Sequence, residues 1–194
     1  MPSERTTVRR RAARGRYDVE TVHAVLDEGI VCHVAVADDE GPVVLPTGYV
    51  RVGDEVVLHG SAANRLLRLA ADGRPVCLTV TLLDGLVLTR SAFHHSMNYR
   101  SVVAFGRARV VEGEEKERAL AAFVEHMVPG RSAVARPPSP SELAATLVLA
   151  VPLHEASAKV RTGPPIDDEA DAALDVWAGV VPLAVVAGEP VPDH

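Results

Sequence analysis

The chain has 194 residues, enough for one domain with a sizeable core. Hydrophobic residues make up 47% and charged residues 24%, the balance of a soluble globular protein; with aromatics at 4%, the core must be built from Val, Leu and Ala. A formal net charge of −6 argues against a dedicated nucleic-acid binder, and no apolar run approaches the roughly 20 residues of a membrane-spanning helix.

Residues 1–16 form a basic arm with Arg5, Arg9, Arg10, Arg11, Arg14 and Arg16. A solvated arm is the plain reading; contact with nucleic acid or an anionic membrane is the alternative for such a charge run. No hydrophobic stretch marks a secretory signal there. A helix is predicted over 17–29, capped by Asp18, with Val22, Val25 and Leu26 at helical spacing before Gly29. The Val-rich run 30–37 predicts a buried strand and DDEG at 38–41 a turn. Strands at 43–52 and 55–59 flank Gly53-Asp54, a tight hairpin signal. Ser61 is read as opening a helix whose apolar side is Leu66, Leu67, Leu69 and Ala70, ended by Gly73.

Two further strands, 76–83 and 86–89, are predicted as a hairpin around Asp84-Gly85. Residues 90–98 read as a loop or a single helical turn. The longest predicted strand is 99–111, with Gly106 marking a bulge or a close backbone approach. A helix over 114–127 follows, with Leu120, Phe123, Val124 and Met127 on one face and Glu114 and Glu115 favourable to its dipole. A Pro-rich loop leads to Ser139-Pro140-Ser141-Glu142, the spacing of a capping box. The last predicted strand is 146–151, extending at most to 160; an acidic run at 167–175 and the segment DVWAGVVPL come before the end. Strands that come as hairpins, with helices inserted between them, predict a mainly β fold with peripheral helices, an antiparallel barrel. Residues 17–185 read as one domain and 186–194 as a flexible tail. Cys32 and Cys77 lie in apolar runs, as reduced core residues of a cytoplasmic protein do.

The common catalytic signatures are missing: no GxGxxG after a strand, no GxxxxGK[ST], no GxSxG, and HEAS at 154–157 is not HExxH. The histidines are His23, His33, His59, His94, His95, His126, His154 and His194. A zinc site assembled across strands from His59, His94 and His154 is set against surface or hydrogen-bonded histidines, and no metal site is assigned. Ser96 beside His94 and His95 has no third group to orient a base. The segment 91–111 offers an anion site instead: Arg100 with Ser96, Asn98, Tyr99 and Ser101. A second donor cluster runs from His59, Gly60 and Ser61 to Asn64 and Arg65, where a strand meets a helix N-terminus. The plain alternative makes Ser61 a helix cap and Arg100 a surface ion-pair partner.

The stretches VLPTGYVRVGDEVVLHGSAANRLLRL, NYRSVVAFGRARVVE and AKVRTGPPIDDEADAALDVWAGVVPL resemble the flavin-nucleotide-binding branch of the pyridoxamine 5'-phosphate oxidase-like superfamily, close to nitroimidazole-resistance-type proteins. The resemblance implies an antiparallel FMN-binding split β-barrel, a homodimer holding FMN between its subunits. It places Pro46, Thr47, Gly48 and Tyr49 beside the flavin ring, and His59, Gly60, Ser61, Asn64 and Arg65 near the ribityl phosphate. Asn98, Tyr99, Arg100 and Ser101 line the same groove, and Trp177 approaches from the other subunit. SAANRLL offers only Arg65 where the oxidase proper has an Arg-Lys pair, and the oxidase's C-terminal substrate motif is missing after Trp177. The function implied is an FMN-dependent oxidoreductase acting on a small-molecule substrate or electron donor, with His59, His94 and His95 as candidates for proton delivery. The alternative is a non-catalytic flavin- or haem-binding module, with His94, His95 or His154 as axial ligand.

Overall fold

The computed structural model describes residues 2–193, so Met1 and His194 lie outside the described residues. The strands are β1 (Gly15–Arg16), β2 (Val31–Asp38), β3 (Gly41–Val52), β4 (Glu55–Ser61), β5 (Pro75–Leu88), β6 (Ser96–Arg107), β7 (Arg109–Val110), β8 (Thr146–Pro152), β9 (Glu155–Arg161) and β10 (Gly179–Pro182). The helices are α1 (Val19–Glu28), α2 (Arg65–Ala71), α3 (Gly113–Met127) and α4 (Pro140–Ala145). The strands form one antiparallel sheet in the order β1-β9-β6-β5-β2-β3-β4-β8-β7, with β10 added on β5. The two ends of that order do not pair, which makes it a split barrel with an open sheet.

By its contacts the chain divides into two compact units. One comprises the residues up to Thr81 with Ser101–Lys159; the other comprises Leu82–Arg100 with the residues from Val160 onward.

Local chemistry explains most of the first unit. Asp18 caps α1, its Oδ1 accepting the Thr21 N–H at 2.8 Å. Asp39 and Glu40 turn β2 into β3, and Gly53, at φ +58°, turns β3 into β4 with Val52 opposite Glu55. The α2 cap is Asn64, whose Oδ1 accepts the Leu67 N–H at 3.1 Å. Ser61, read from sequence as the helix opener, is the last residue of β4. The capping box at α4 forms as predicted, with Ser139 and Glu142 each satisfying the other's backbone N–H.

Three strand expectations are corrected. Asp84-Gly85 does not turn the chain; β5 runs through it as the longest strand, and Gly85 stays extended opposite Pro182 of β10. The predicted strand 99–111 is displaced and divided into β6 and β7. The strand predicted from 146 is followed by two more, β9 and β10, of which β9 pairs with β1.

Alternation builds the core. Cys32, Val34 and Val36 of β2, Val76, Leu78 and Val80 of β5, and Val102 and Ala104 of β6 are buried. Val22, Val25 and Leu26 of α1 and Leu66, Leu67 and Ala70 of α2 are buried as well. On the other face of β3, β4 and β8, Val50, Val57, Val148 and Ala150 pack with Val111 and Ala119, and α3 adds Leu120 and Phe123. Met127, predicted to face the core, is 45% exposed.

Candidate functional site

Register decides which predicted residues face together. His33 of β2 pairs with Pro46 of β3 and with Thr79 of β5; Val31 pairs with Gly48 and Ala35 with Val44. Directly paired residues share a face, so His33, Pro46, Gly48 and Thr79 lie on the side opposite the α1 core. His59 belongs to the same face, two residues beyond Val57 on β4. At one end of it the α3 ring of Phe123 fills the space over Gly48, where a Cβ would meet its Cζ at 3.0 Å. That ring also stands edge-on to His59, with centroids 4.2 Å apart. Further along, the face is open: Val31 is 47% and Val44 54% exposed, and His33 and Pro46 are exposed.

His59 is half-buried, and burial holds its imidazole below the usual 6.5. Neither His59 nor His33 has a hydrogen-bond partner among the described residues. The remaining predicted residues of this stretch divide otherwise. Tyr49 is fully buried on the α1 side, where its hydroxyl donates to the Leu26 carbonyl at 2.7 Å. The Cys32 Sγ faces the Thr47 carbonyl at 3.5 Å; burial pushes that thiol up to about 12. Against Gly60 a Cβ would meet Leu67 at 2.9 Å. Ser61 is exposed and accepts the Ala63 N–H. The Arg65 guanidinium donates to Asp38 at 2.5 Å and to Glu40 at 3.3 Å. It is the partner of two turn carboxylates, a setting that repels a phosphate.

Asn98, Tyr99, Arg100 and Trp177 belong to the second unit and Ser101 to the first. Asn98 is 8% exposed; its amide donates to the Gly163 carbonyl at 3.1 Å and accepts from Arg161, itself 6% exposed. Arg100 holds Asp84 bidentately, at 2.7 and 3.0 Å. Tyr99 is half-buried. Trp177 is 65% exposed, and its ring lies where a Cβ on Gly179 would be, 2.7 Å from Cζ2. Ser101 Oγ donates to the Lys159 carbonyl at 3.4 Å.

The paired histidines of the second unit have fixed tasks. The Thr89 N–H donates to His95 Nδ1 at 3.3 Å, so the neutral ring carries its proton on Nε2. His94 Nε2 meets Asp168 at 3.1 Å. In the first unit, His126 Nε2 donates to the Gly29 carbonyl at 2.8 Å, and His154 is exposed. Among the described residues no group of three His, Cys, Asp or Glu side chains could hold a metal ion. No described helix is long and apolar enough to cross a membrane.

His33 is the site residue that sequence reading passed over. Its signal was available: Cys32, Val34 and Val36 alternate inward, which turns His33 outward. Phe123 could not be assigned to the site from the sequence, because it comes from a helix 64 residues beyond His59.

An open antiparallel sheet with helices on its faces, and a half-open face carrying His33 and His59, places the protein in the split-barrel class. The chain belongs to the pyridoxamine 5'-phosphate oxidase family, whose model matches residues 18–160. Two solved structures are similar over nearly the whole chain. The flavocytochrome Anf3 from Azotobacter vinelandii is 44% identical, covering 99% of this chain and 90% of its own, with a TM-score of 0.92. An FAD and haem binding protein from Mycobacterium smegmatis is 39% identical, covering 93% and 94%, with a TM-score of 0.84. A protein assigned to 5-nitroimidazole antibiotic resistance, from Bacteroides thetaiotaomicron, shares the fold at 24% identity, covering 75% and 86%, with a TM-score of 0.63. No curated protein matches the chain by sequence.

Proposed function

We propose that this protein is a redox protein that binds both a flavin and haem, with FAD rather than FMN as its flavin. The observation that carries the proposal is the 44% identity to a flavocytochrome over 99% of the chain. The 39% identity to a protein that binds FAD and haem supports the choice of FAD. A flavin and a haem bound together supply two-electron acceptance coupled to one-electron transfer.

The residues of the first unit fit these groups. Val31, Ala35, Val44 and Pro46 offer a flat, largely apolar sheet face to a planar ring. A haem iron takes a neutral imidazole with a free nitrogen lone pair. His59 meets that need: burial keeps it neutral, no hydrogen bond occupies its ring nitrogens, and Phe123 fixes its plane. His33 shares the free ring but is exposed. His95 is disfavoured because its Nδ1 accepts a backbone N–H, and His94 is engaged by Asp168. We therefore assign the haem to His59 in place of His94, His95 or His154. The open face, with Val31 47% and Val44 54% exposed, suits burial against a second copy, and the protein acts as a homodimer in this reading.

The absorption spectrum of the purified protein tests the assignment. Flavin bands together with a Soret band are expected, and the flavin released on denaturation should have the mass of FAD. His59→Leu should lose the Soret band and keep the flavin bands, while His33→Leu keeps both. A colourless protein that takes up neither added flavin nor haemin would overturn the proposal.

A further inference from the structure

The basic arm is solvent-exposed along most of its arginines, as the plain reading has it, and is also tied down as a strap over one patch of the sheet. Arg5 Nε donates to Glu155 Oε1 at 2.8 Å, its Nη2 donates to the other carboxylate oxygen, and Ser3 donates to the same carboxylate. The Arg5 guanidinium lies 4.5 Å over the Phe105 ring. Thr6 is 3% exposed, and the Val8 N–H donates to the Tyr17 hydroxyl at 2.9 Å.

The strap forms one wall of a half-open cavity of about 230 Å³, whose lining includes Arg5, Arg9, Arg10, Ser101, Ser157 and Lys159. Among the described residues no carboxylate lines it. Arg5 is neutralised by Glu155 and Arg9 by Glu4, at 2.8 Å. Arg10 and Lys159 have no carboxylate partner among the described residues, so two positive charges face the cavity uncompensated. Ser157 is 7% exposed as a residue, and its hydroxyl, which solvent still reaches, makes no hydrogen bond among the described residues. Two uncompensated cations beside a hydroxyl free to donate make a setting that favours a bound anion.

We propose that this cavity binds the diphosphate group of a nucleotide-type ligand. Donors reach it from the strap on one side and from β6 and β9 on the other, which suits tetrahedral phosphoryl groups better than a planar carboxylate. Its volume lies below the roughly 300–1,000 Å³ of pockets that enclose whole ligands, so the anionic group enters and the rest of the molecule stays outside. Two sources carry this chemistry: the diphosphate of the FAD named in the proposed function, in which case the inference rests on that reading, and a separate soluble nucleotide.

Calorimetric titration with inorganic pyrophosphate separates them. The full chain, stripped of any bound flavin, is expected to bind pyrophosphate. The double variant Arg10→Gln/Lys159→Gln should bind at least about tenfold more weakly, and Ser157→Ala should weaken binding to a smaller degree. Arg118→Gln, on the exposed face of α3, serves as control and should leave it unchanged. Loss of pyrophosphate binding on reloading with FAD makes the flavin the source; binding retained in the FAD-loaded protein makes it a separate nucleotide. No binding in either form, or equal binding in the wild type and the double variant, overturns the inference. The calorimetry reads the anion and the spectrum reads flavin and haem, so failure of one is distinct from failure of the other.

Discussion

The Phe123 ring stands edge-on to the His59 imidazole, 4.2 Å between centroids and 74° between planes. One aromatic from α3 thus shields a histidine of β4 and fills the space above Gly48 of β3.

Burial lowers the His59 pKa below the usual 6.5, so the unfolded chain binds the proton first as pH falls. Its stabilising contribution is complete above about pH 6.5 and declines below it as the unfolded histidine protonates. In the cofactor-free protein, His59→Gln should flatten the fall of the urea midpoint below that pH. An unchanged pH profile would mean that the imidazole is solvated.

Phe123→Ala should cost about 2 kcal/mol, less than for a fully buried ring because Phe123 is half-buried. Gly48→Ala forces a Cβ to within 3.0 Å of the ring and should cost about 1 kcal/mol. In a Phe123→Leu background the Gly48→Ala cost should shrink. Urea denaturation of the four variants of that cycle measures the coupling, and simple additivity would show that the ring can move aside.

Tyr49→Phe removes the hydroxyl that donates to Leu26, a carbonyl in the last turn of α1 with no successor in the helix. A loss of about 1–2 kcal/mol is expected, with unchanged flavin content. Loss of flavin without loss of stability would instead return Tyr49 to the cofactor, where the family resemblance placed it.

Hydrogen bonds from Arg5, then from Ser3, push the Glu155 carboxyl down from its ordinary 4.5 to about 2. A depressed carboxylate holds its partners above the unfolded pKa and releases them as pH falls through the folded one. The strap should therefore stay closed above pH 4.5 and open as the pH approaches about 2. The Arg5 Nε–H resonance in NMR reports the transition, and Glu155→Gln should produce the open state at neutral pH.

Much of the candidate site was legible where the signal was local. Gly53-Asp54, Asp18 and Ser139 with Glu142 act within a few residues, through turn geometry or a cap, and each formed as its spacing predicts. The alternation of VCHVAVAD also contains the core face and the outward His33, although the run was read as buried on both faces.

The charged residues were not legible in the same way. Arg65 and Arg100 were candidates for a phosphate, with an ion pair as the plain alternative for Arg100, and the partners they have, Asp38 with Glu40 and Asp84, stand 16 to 27 residues away in sequence. The arm was read as solvated because Glu155, which clasps it, lies 150 residues beyond Arg5.

By itself, then, the sequence determined the Asp18 and Ser139 caps, the Gly53-Asp54 turn and the family. Only the tertiary structure decided that Asp84-Gly85 stays extended, since the pairing partner that makes a turn unnecessary, β10, arrives nearly a hundred residues later. It also decided which cations are neutralised and which remain for a ligand. Turns and caps are energies of neighbouring residues, whereas strand pairing and ion pairing belong to residues that meet only when the chain has folded.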